Sequence, residues 1–296
     1  PAAVLIFAVL GTILMGLATP TEAAACGALG SIILAACYRN LTKTVVWNSL
    51  MSTVNISAMI LMIVMGFKDS KFIGFPIRSW TLDWYKGVFS DAEVLYTFGY
   101  SVAIAILSTL ISVIVGTWIA VLLEGRKFWG RAVTFGLMVL PALVPGIISA
   151  IAFRIYARML GIEPGMGAII WAHAVHNVPF VTLVVMARLS TLPKSQIEAA
   201  RDLGADPLMA FMRITLPYLI PAILGASVFC LLLSFDDFVR SFFLGGYEPT
   251  LPVLIFAMLR SGMSPEINAI ATVALVLTAA IGIWAERFTR RANKEN

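Results

Sequence analysis

The sequence predicts an all-α fold, a polytopic bundle of about 6 to 8 membrane segments, and three observations carry that prediction. Of 296 residues, 60% are hydrophobic and only 12% charged, about half the charged share of an ordinary soluble domain. Long stretches free of Asp, Glu, Lys and Arg recur, each close to the roughly 20 apolar residues that carry a helix across a bilayer. The alternation required of a transmembrane strand is absent, and in lipid a helix satisfies its own backbone groups.

In chain order, Pro1 to Thr21 is uncharged, and Ala23 to Tyr38 is a shorter apolar run that reads as a re-entrant hairpin or a tight span. Thr44 to Phe67, Tyr96 to Leu123, Ala132 to Phe153, Met166 to Met186, Tyr218 to Phe235 and Ile267 to Ala285 follow as spans. Pro141, Pro145 and Pro179 fall inside these runs, where proline kinks a helix and frees carbonyls. Gly161 and Gly165 bracket a short turn on the outer side.

Orientation follows from Lys and Arg. With the loop around Arg126, Lys127 and Arg131 inside, alternation places Arg188, Lys194, Arg201, Arg213 and the tail bearing Arg287, Arg290, Arg291 and Lys294 there too. Eight basic residues then face out, from Lys68, Lys71, Arg78 and Lys86 to Arg154, Arg158, Arg240 and Arg260. Four acids between Lys68 and Glu93 balance the four positives of that segment. The formal charge of +5 is small and dispersed, so no nucleic-acid partner is expected. Cys26, Cys37 and Cys230 lie in apolar stretches without CxxC spacing and read as packing residues rather than metal ligands. No basic, apolar and small-residue order of a cleaved signal opens the chain, and Pro1 in place of Met places the expected true start upstream.

One loop, residues 189–217, interrupts the hydrocarbon with charge. Thr191 is expected to cap a helix with Pro193 in its first turn, and Gly204 to end it. Asp206 before Pro207 starts a second helix, in which Leu208, Phe211, Met212 and Thr215 form an i, i+3, i+4, i+7 stripe. Two short helices meeting at Gly204 and Ala205 would make an angular knob on the membrane surface, with Pro217 and Pro221 leading back into the bilayer.

Glu198-Ala199-Ala200, three residues, Gly204, nine residues, Ile214, one residue and Leu216-Pro217 form a fixed pattern. It resembles the coupling loop of membrane subunits of ABC importers. The resemblance runs from about Phe67 to the C-terminus. Asp69-Ser70-Lys71-Phe72, Gly74-Phe75-Pro76, Trp80 to Tyr85, Ser234 to Phe238 and Ser264 to Asn268 are most similar to the spermidine/putrescine permeases.

That resemblance implies a permease subunit that forms a translocation pathway in a bacterial inner membrane, with the loop and C-terminus cytoplasmic. Its implied partners are an ATP-binding subunit, a second permease subunit and an extracytoplasmic polyamine-binding protein. The chain is then no enzyme and needs no cofactor or metal. The absence of a GxxxxGK[ST] phosphate loop agrees, because it leaves ATP hydrolysis to a partner. For docking the ATPase subunit we single out Glu198, Ala199, Ala200, Arg201, Gly204, Phe211, Ile214, Leu216 and Pro217.

Asp236 and Asp237 end an apolar run, where carboxylates in lipid are costly and face a cavity, a partner or a pathway. A flexible polycation would meet its counter-charge there, with Trp84 as a further pathway residue. The alternative places them at the outer headgroups, one paired with Arg240. His173 and His176 read as structural, with Asn177 as a polar neighbour.

The N-terminal part resembles something else. Gly16 to Ala28, Tyr38 to Thr42 and Trp47 to Met65 are similar to the large membrane subunit of TRAP dicarboxylate transporters. That family uses ion gradients, and a TRAP-type secondary transporter subunit is the alternative reading. The expected organisation is a TRAP-like segment, 1–66, joined near Ile63 to Lys68 to an ABC transmembrane domain, 67–296, by fusion or by a join in sequence assembly. Glu22 is then a leftover rather than a working ligand.

Overall fold

The computed structural model describes residues 2–70, 76–125, 128–262 and 264–292, and among them it is helical with no strand. Pro1, Lys71, Phe72, Gly74, Phe75, Arg126, Lys127 and Lys294, named above, lie outside the described residues. The chain divides into two compact units, Pro1–Met62 and Ile63–Asn296.

The first unit holds α1 (Ala2–Leu14), α2 (Pro20–Cys37) and most of α3 (Lys43–Met65). Thr19 and Glu22 form a capping box at the start of α2: Glu22 N donates to Thr19 Oγ1 at 3.4 Å, and Thr19 N donates to Glu22 Oε2 at 2.8 Å. Glu22 is therefore a structural residue of this turn. A Cβ on Gly30 would come within 2.4 Å of Leu5 Cδ1 and one on Gly27 within 3.0 Å of Val9 Cγ2, so these glycines let α1 and α2 pack closely. The ambiguous run from Ala23 thus becomes a single 18-residue helix, long and apolar enough to cross a membrane.

The second unit begins with a small clasp. Asp69 N donates to Ser79 O and Thr81 N to Phe67 O, an antiparallel bridge that leads into α4 (Asp83–Ser90). Then come α5 (Ala92–Gly125), α6 (Arg131–Leu143), α7 (Gly146–Met159), α8 (Met166–Leu189), α9 (Lys194–Asp202) and α10 (Pro207–Ala210). A π-helical turn, Phe211–Thr215, joins α10 to α11 (Leu216–Phe235), followed by α12 (Phe238–Leu244), α13 (Leu251–Ser261) and α14 (Pro265–Ala292). Among the described residues, six helices are long and apolar enough to cross a membrane, or seven if a bent pair counts as one span.

That bent pair corrects an expectation. Ala132 to Phe153 is not one rod: α6 and α7 meet at 108°. Pro145 is the cause, because the residue before proline is pushed out of the helical region, and Val144 is extended at ψ 128°. Pro141 and Pro179, by contrast, stay inside α6 and α8.

α5, α8 and α11 form the centre of the second unit. Ala120, Val181, Val185, Leu219, Ala226 and Cys230 make one buried cluster, and Tyr100, Ile104, Ala168, Ile169, Ala172 and Leu244 another. Of the three cysteines only Cys230 packs in a core; Cys26 and Cys37 are exposed.

Candidate functional site: the charged loop and the paired carboxylates

The loop is built on a clamp between α8 and α11. Arg188 Nε donates to Tyr218 O at 3.3 Å, and its guanidinium lies 4.0 Å from the Tyr218 ring centroid. The Thr191 hydroxyl donates to Arg188 O at 2.7 Å and pairs with Tyr218 Oη at 2.9 Å. Thr191 therefore does not cap α9, contrary to the sequence expectation; Pro193 occupies the cap position and the helix starts at Lys194. Nothing in the periodicity marks this clamp, because its members stand 30 residues apart.

α9 ends as a Schellman motif. Ala205 N donates to Ala200 O at 3.0 Å, Gly204 N donates to Arg201 O at 2.9 Å, and Gly204 has φ +86°. Asp206 then caps the next helix, its carboxylate accepting from Met209 N at 2.7 Å with Pro207 at the first position.

The second expected helix is not a separate short one. α10, the π turn and α11 run on without a break, so Pro207–Phe235 is one 29-residue rod that starts in the loop. The apolar stripe also changes. Leu208 and Met212 are 67% and 53% exposed, while Ala210, Thr215 and Leu219 are buried. The π turn explains this: it adds one residue per turn, so the inward positions step by five from Ala210 to Thr215 before returning to four.

Glu198, Ala199, Arg201, Gly204 and Pro217 are exposed, whereas Ala200, Ile214 and Leu216 are half-buried. Phe211 is engaged within the chain, stacked on Trp118 of α5 with centroids 5.8 Å apart. Leu203, 90% exposed at the end of α9, was missed from sequence, where it reads as an ordinary helix-end residue. Its side chain is exposed where that of Phe211 is packed within the chain.

The three residues expected along the pathway separate. Asp236 is exposed and lines a cavity of about 310 Å³ walled by Phe235, Phe238, Leu251, Ile255 and Phe256. Asp237 is not a free carboxylate. It caps α12, accepting from Arg240 N at 2.9 Å, and is ion-paired with the Arg240 guanidinium. Both side chains are almost wholly buried, so the pairing with Arg240 occurs inside the fold rather than among headgroups. Trp84 donates its indole N–H to Lys68 O at 2.8 Å and packs in the core formed with Val88 and Ile270, which makes it a residue of the clasp.

His173 extends this polar interior. Its Nδ1 pairs with Ser234 Oγ at 2.7 Å, Ser234 with Ser108 Oγ at 2.9 Å, and its Nε2 lies 3.9 Å from Asp237. Asn177, next to His176 and one turn on from His173, directs its amide to the neighbouring helix, donating to Cys230 O at 3.2 Å. Each bond joins different helices, and in an apolar medium such bonds fix their register. Among the described residues no group of three His, Cys, Asp or Glu side chains stands close enough to hold a metal ion.

Against this geometry, the profile of the binding-protein-dependent transport system inner membrane component family matches residues 112–295. The chain belongs to that family. This permease is 33% identical over 239 residues to the spermidine/putrescine transport system permease protein PotC of Escherichia coli K12, covering 80% of the chain and 90% of that protein. It is 34% identical over 245 residues to the putrescine transport system permease protein PotI of the same strain, covering 80% and 87%. A bacterial alginate ABC importer shares the fold with a TM-score of 0.64 at 18% identity, covering 84% of the permease and 96% of that chain. The MetNI methionine ABC transporter does so at 0.57 and 20% identity, covering 65% and 93%. The permease is a multi-pass inner-membrane protein, a transport subunit rather than an enzyme.

A second profile, the DctM component of tripartite ATP-independent periplasmic transporters, matches residues 1–122. It covers less than half of the chain and overlaps the first match over 112–122.

Proposed function

We propose that the chain is a membrane-spanning permease subunit of an ATP-driven importer of polyamines, coupled to a separate ATP-binding subunit through the loop 189–217. The observation that carries this reading is the loop itself. An exposed helix bearing Glu198 and Arg201 ends at a left-handed Gly204, and an Asp206-capped helix runs from there straight into a membrane rod. A push on α9 by a docked motor is delivered to α11 through Asp206 to Thr215 and to α8 through the Arg188–Tyr218 clamp. Glu198 and Arg201 supply polar contacts to the ATPase subunit and Ala199 and Ala200 close approach. Leu203 and Met212 supply apolar contact. Gly204, Ile214, Leu216 and Pro217 shape the base.

The loop and the C-terminus face the cytoplasm in this reading, where eleven basic residues gather against eight outside. A second permease subunit completes the pathway, and an extracytoplasmic polyamine-binding protein delivers the substrate. The polyamine assignment draws on the relatives named for spermidine and putrescine transport. Asp236, exposed in a phenylalanine-walled cavity, is the pathway carboxylate best placed for an ammonium group.

For residues 1–66 we propose a TRAP-like segment joined to the permease, supported by the DctM match. Purification with the ATPase subunit, then hydrolysis assays in liposomes with the binding protein, tests the main reading. Hydrolysis stimulated by a polyamine supports it, and hydrolysis indifferent to polyamine refutes it.

A further inference from the structure

The turn from α11 to α12 runs Ser234-Phe235-Asp236-Asp237, and its members face different ways. Ser234 and Phe235 are buried, the Asp237 side chain is 10% exposed, and Asp236 alone is exposed, on the cavity described above. A short side chain on a turn points where the backbone on either side of it is held.

His173 of α8, 1% exposed, holds that backbone from both sides. On the α11 side its Nδ1 pairs with Ser234 Oγ at 2.7 Å, and Ser234 is tied in turn to Ser108 of α5 at 2.9 Å. On the α12 side its Nε2 lies 3.4 Å from Ser241 Oγ and 3.9 Å from the Asp237 carboxylate. A neutral imidazole suits this place, because it offers an acceptor and a donor on separate edges of one rigid ring. With the proton on Nε2, Ser234 donates to Nδ1 while Nε2–H faces Ser241 and Asp237.

We propose that His173 is a positioning residue for transport, which fastens α11 and α12 on either side of Asp236 and so sets the direction in which that carboxylate enters its cavity. The inference rests on the reading of Asp236 as the pathway carboxylate. His173 lies outside the lining of the cavity, so its effect reaches the amine through Asp236. A binding group displaced by a fraction of its bond length loses much of its hold on a cation, which is why a supporting shell matters.

The test uses the complete transporter in liposomes, with KM and kcat for putrescine measured in the wild type, His173→Phe, Asp236→Asn and the double variant. Phenylalanine keeps a ring in the buried site and offers neither nitrogen. His173→Phe is expected to raise KM about tenfold and to leave kcat within about twofold, since the drive from the motor enters elsewhere, through the loop 189–217. Asp236→Asn is expected to raise KM as well, and adding His173→Phe to it should change nothing further, because the ring acts through the carboxylate. His173→Gln, whose amide keeps one acceptor and one donor, should fall between wild type and the Phe variant. Should the Phe variant fail to assemble, Ser234→Ala cuts the Nδ1 side alone and carries the same expectation at smaller size in the same cycle. An unchanged KM in the single variant, or a loss confined to kcat, overturns the proposal. So do effects that multiply in the double variant, which would assign His173 to packing. An Asp236→Asn transporter with the wild-type KM overturns the pathway reading, and the proposal with it.

Discussion

Gly204 carries the sharpest constraint in the loop. At φ +86° a residue with a Cβ is strained, and a β-branched one most of all, by roughly 1–2 kcal/mol. A Cβ at Gly204 meets no heavy atom within 4 Å, so substitution changes the backbone and whatever docks there rather than the internal packing. Gly204→Val is expected to lower polyamine-stimulated ATP hydrolysis about tenfold, the scale of that strain. Gly204→Asn, which tolerates the left-handed region, should fall between it and wild type. Wild-type stimulation in the Val variant would remove the turn from coupling. Leu203→Glu places charge on the exposed leucine that caps the C-terminal end of α9, and reduced recovery of the ATPase subunit on copurification is the expected result; full recovery would exclude Leu203 from the contact. What sequence revealed at this scale is what chemistry fixes locally. Asp206 before Pro207 is a start signal with no long-range input, and it caps as expected. Thr191 failed as a cap because its hydroxyl is turned back to Arg188 O at the end of α8 and pairs with Tyr218 Oη, the second a contact that exists only once α8 and α11 are packed. Asp237 and Arg240 were visible as a pair three apart, but their burial was not, and burial decides whether that pair is a free surface charge or a lock.

Helix contacts show how closely the second unit is fitted. A Cβ on Gly116 of α5 would stand 2.7 Å from the Cβ of Val181 on α8, and Thr182 Oγ1 already donates to Gly116 O at 3.2 Å. Gly116→Leu is therefore expected to cost about 1–3 kcal/mol by overpacking and to lower the thermal midpoint of the purified permease in detergent. An unchanged midpoint would mean that the contact between α5 and α8 is loose. The existence and type of the long helices were legible because apolar runs of about 20 residues have few alternatives in lipid. Their ends and breaks were less so. Pro145 breaks its run while Pro141 and Pro179 are accommodated: Val144, the residue before Pro145, is extended at ψ 128°, and Pro145, lacking an N–H, leaves Pro141 O to the His176 ring at 3.4 Å. The π turn at Phe211–Thr215 has no sequence signature of its own. It shifts the buried face by one residue, which is why an i, i+4 stripe drawn through Leu208 and Met212 pointed the wrong way.

Across the whole molecule, two similarities meet in one chain. The permease match and the relatives account for the helices from α4 onward, and an alignment covering 80% of the chain also reaches upstream of Phe67 into α3. The DctM match extends from the first residue to 122, beyond the 66 residues whose motifs are legible by eye. Those motifs, such as Thr-Pro-Thr-Glu, mark a turn whose capping box is local chemistry, whereas the apolar helices that follow are alike in any membrane protein. Sequencing the locus and its transcript across Ile63 to Lys68 tests the proposed junction: one continuous reading frame supports a fusion, and a separate permease start at that point contradicts it. The central claim, that a lipid-embedded chain touches its motor through the loop 189–217, is tested most directly by ATP hydrolysis in liposomes holding the permease, its ATPase subunit, the second permease subunit and the binding protein. Hydrolysis that rises with polyamine and loses that response in Gly204→Val is the predicted result; a response that survives the substitution, or never appears, would contradict it.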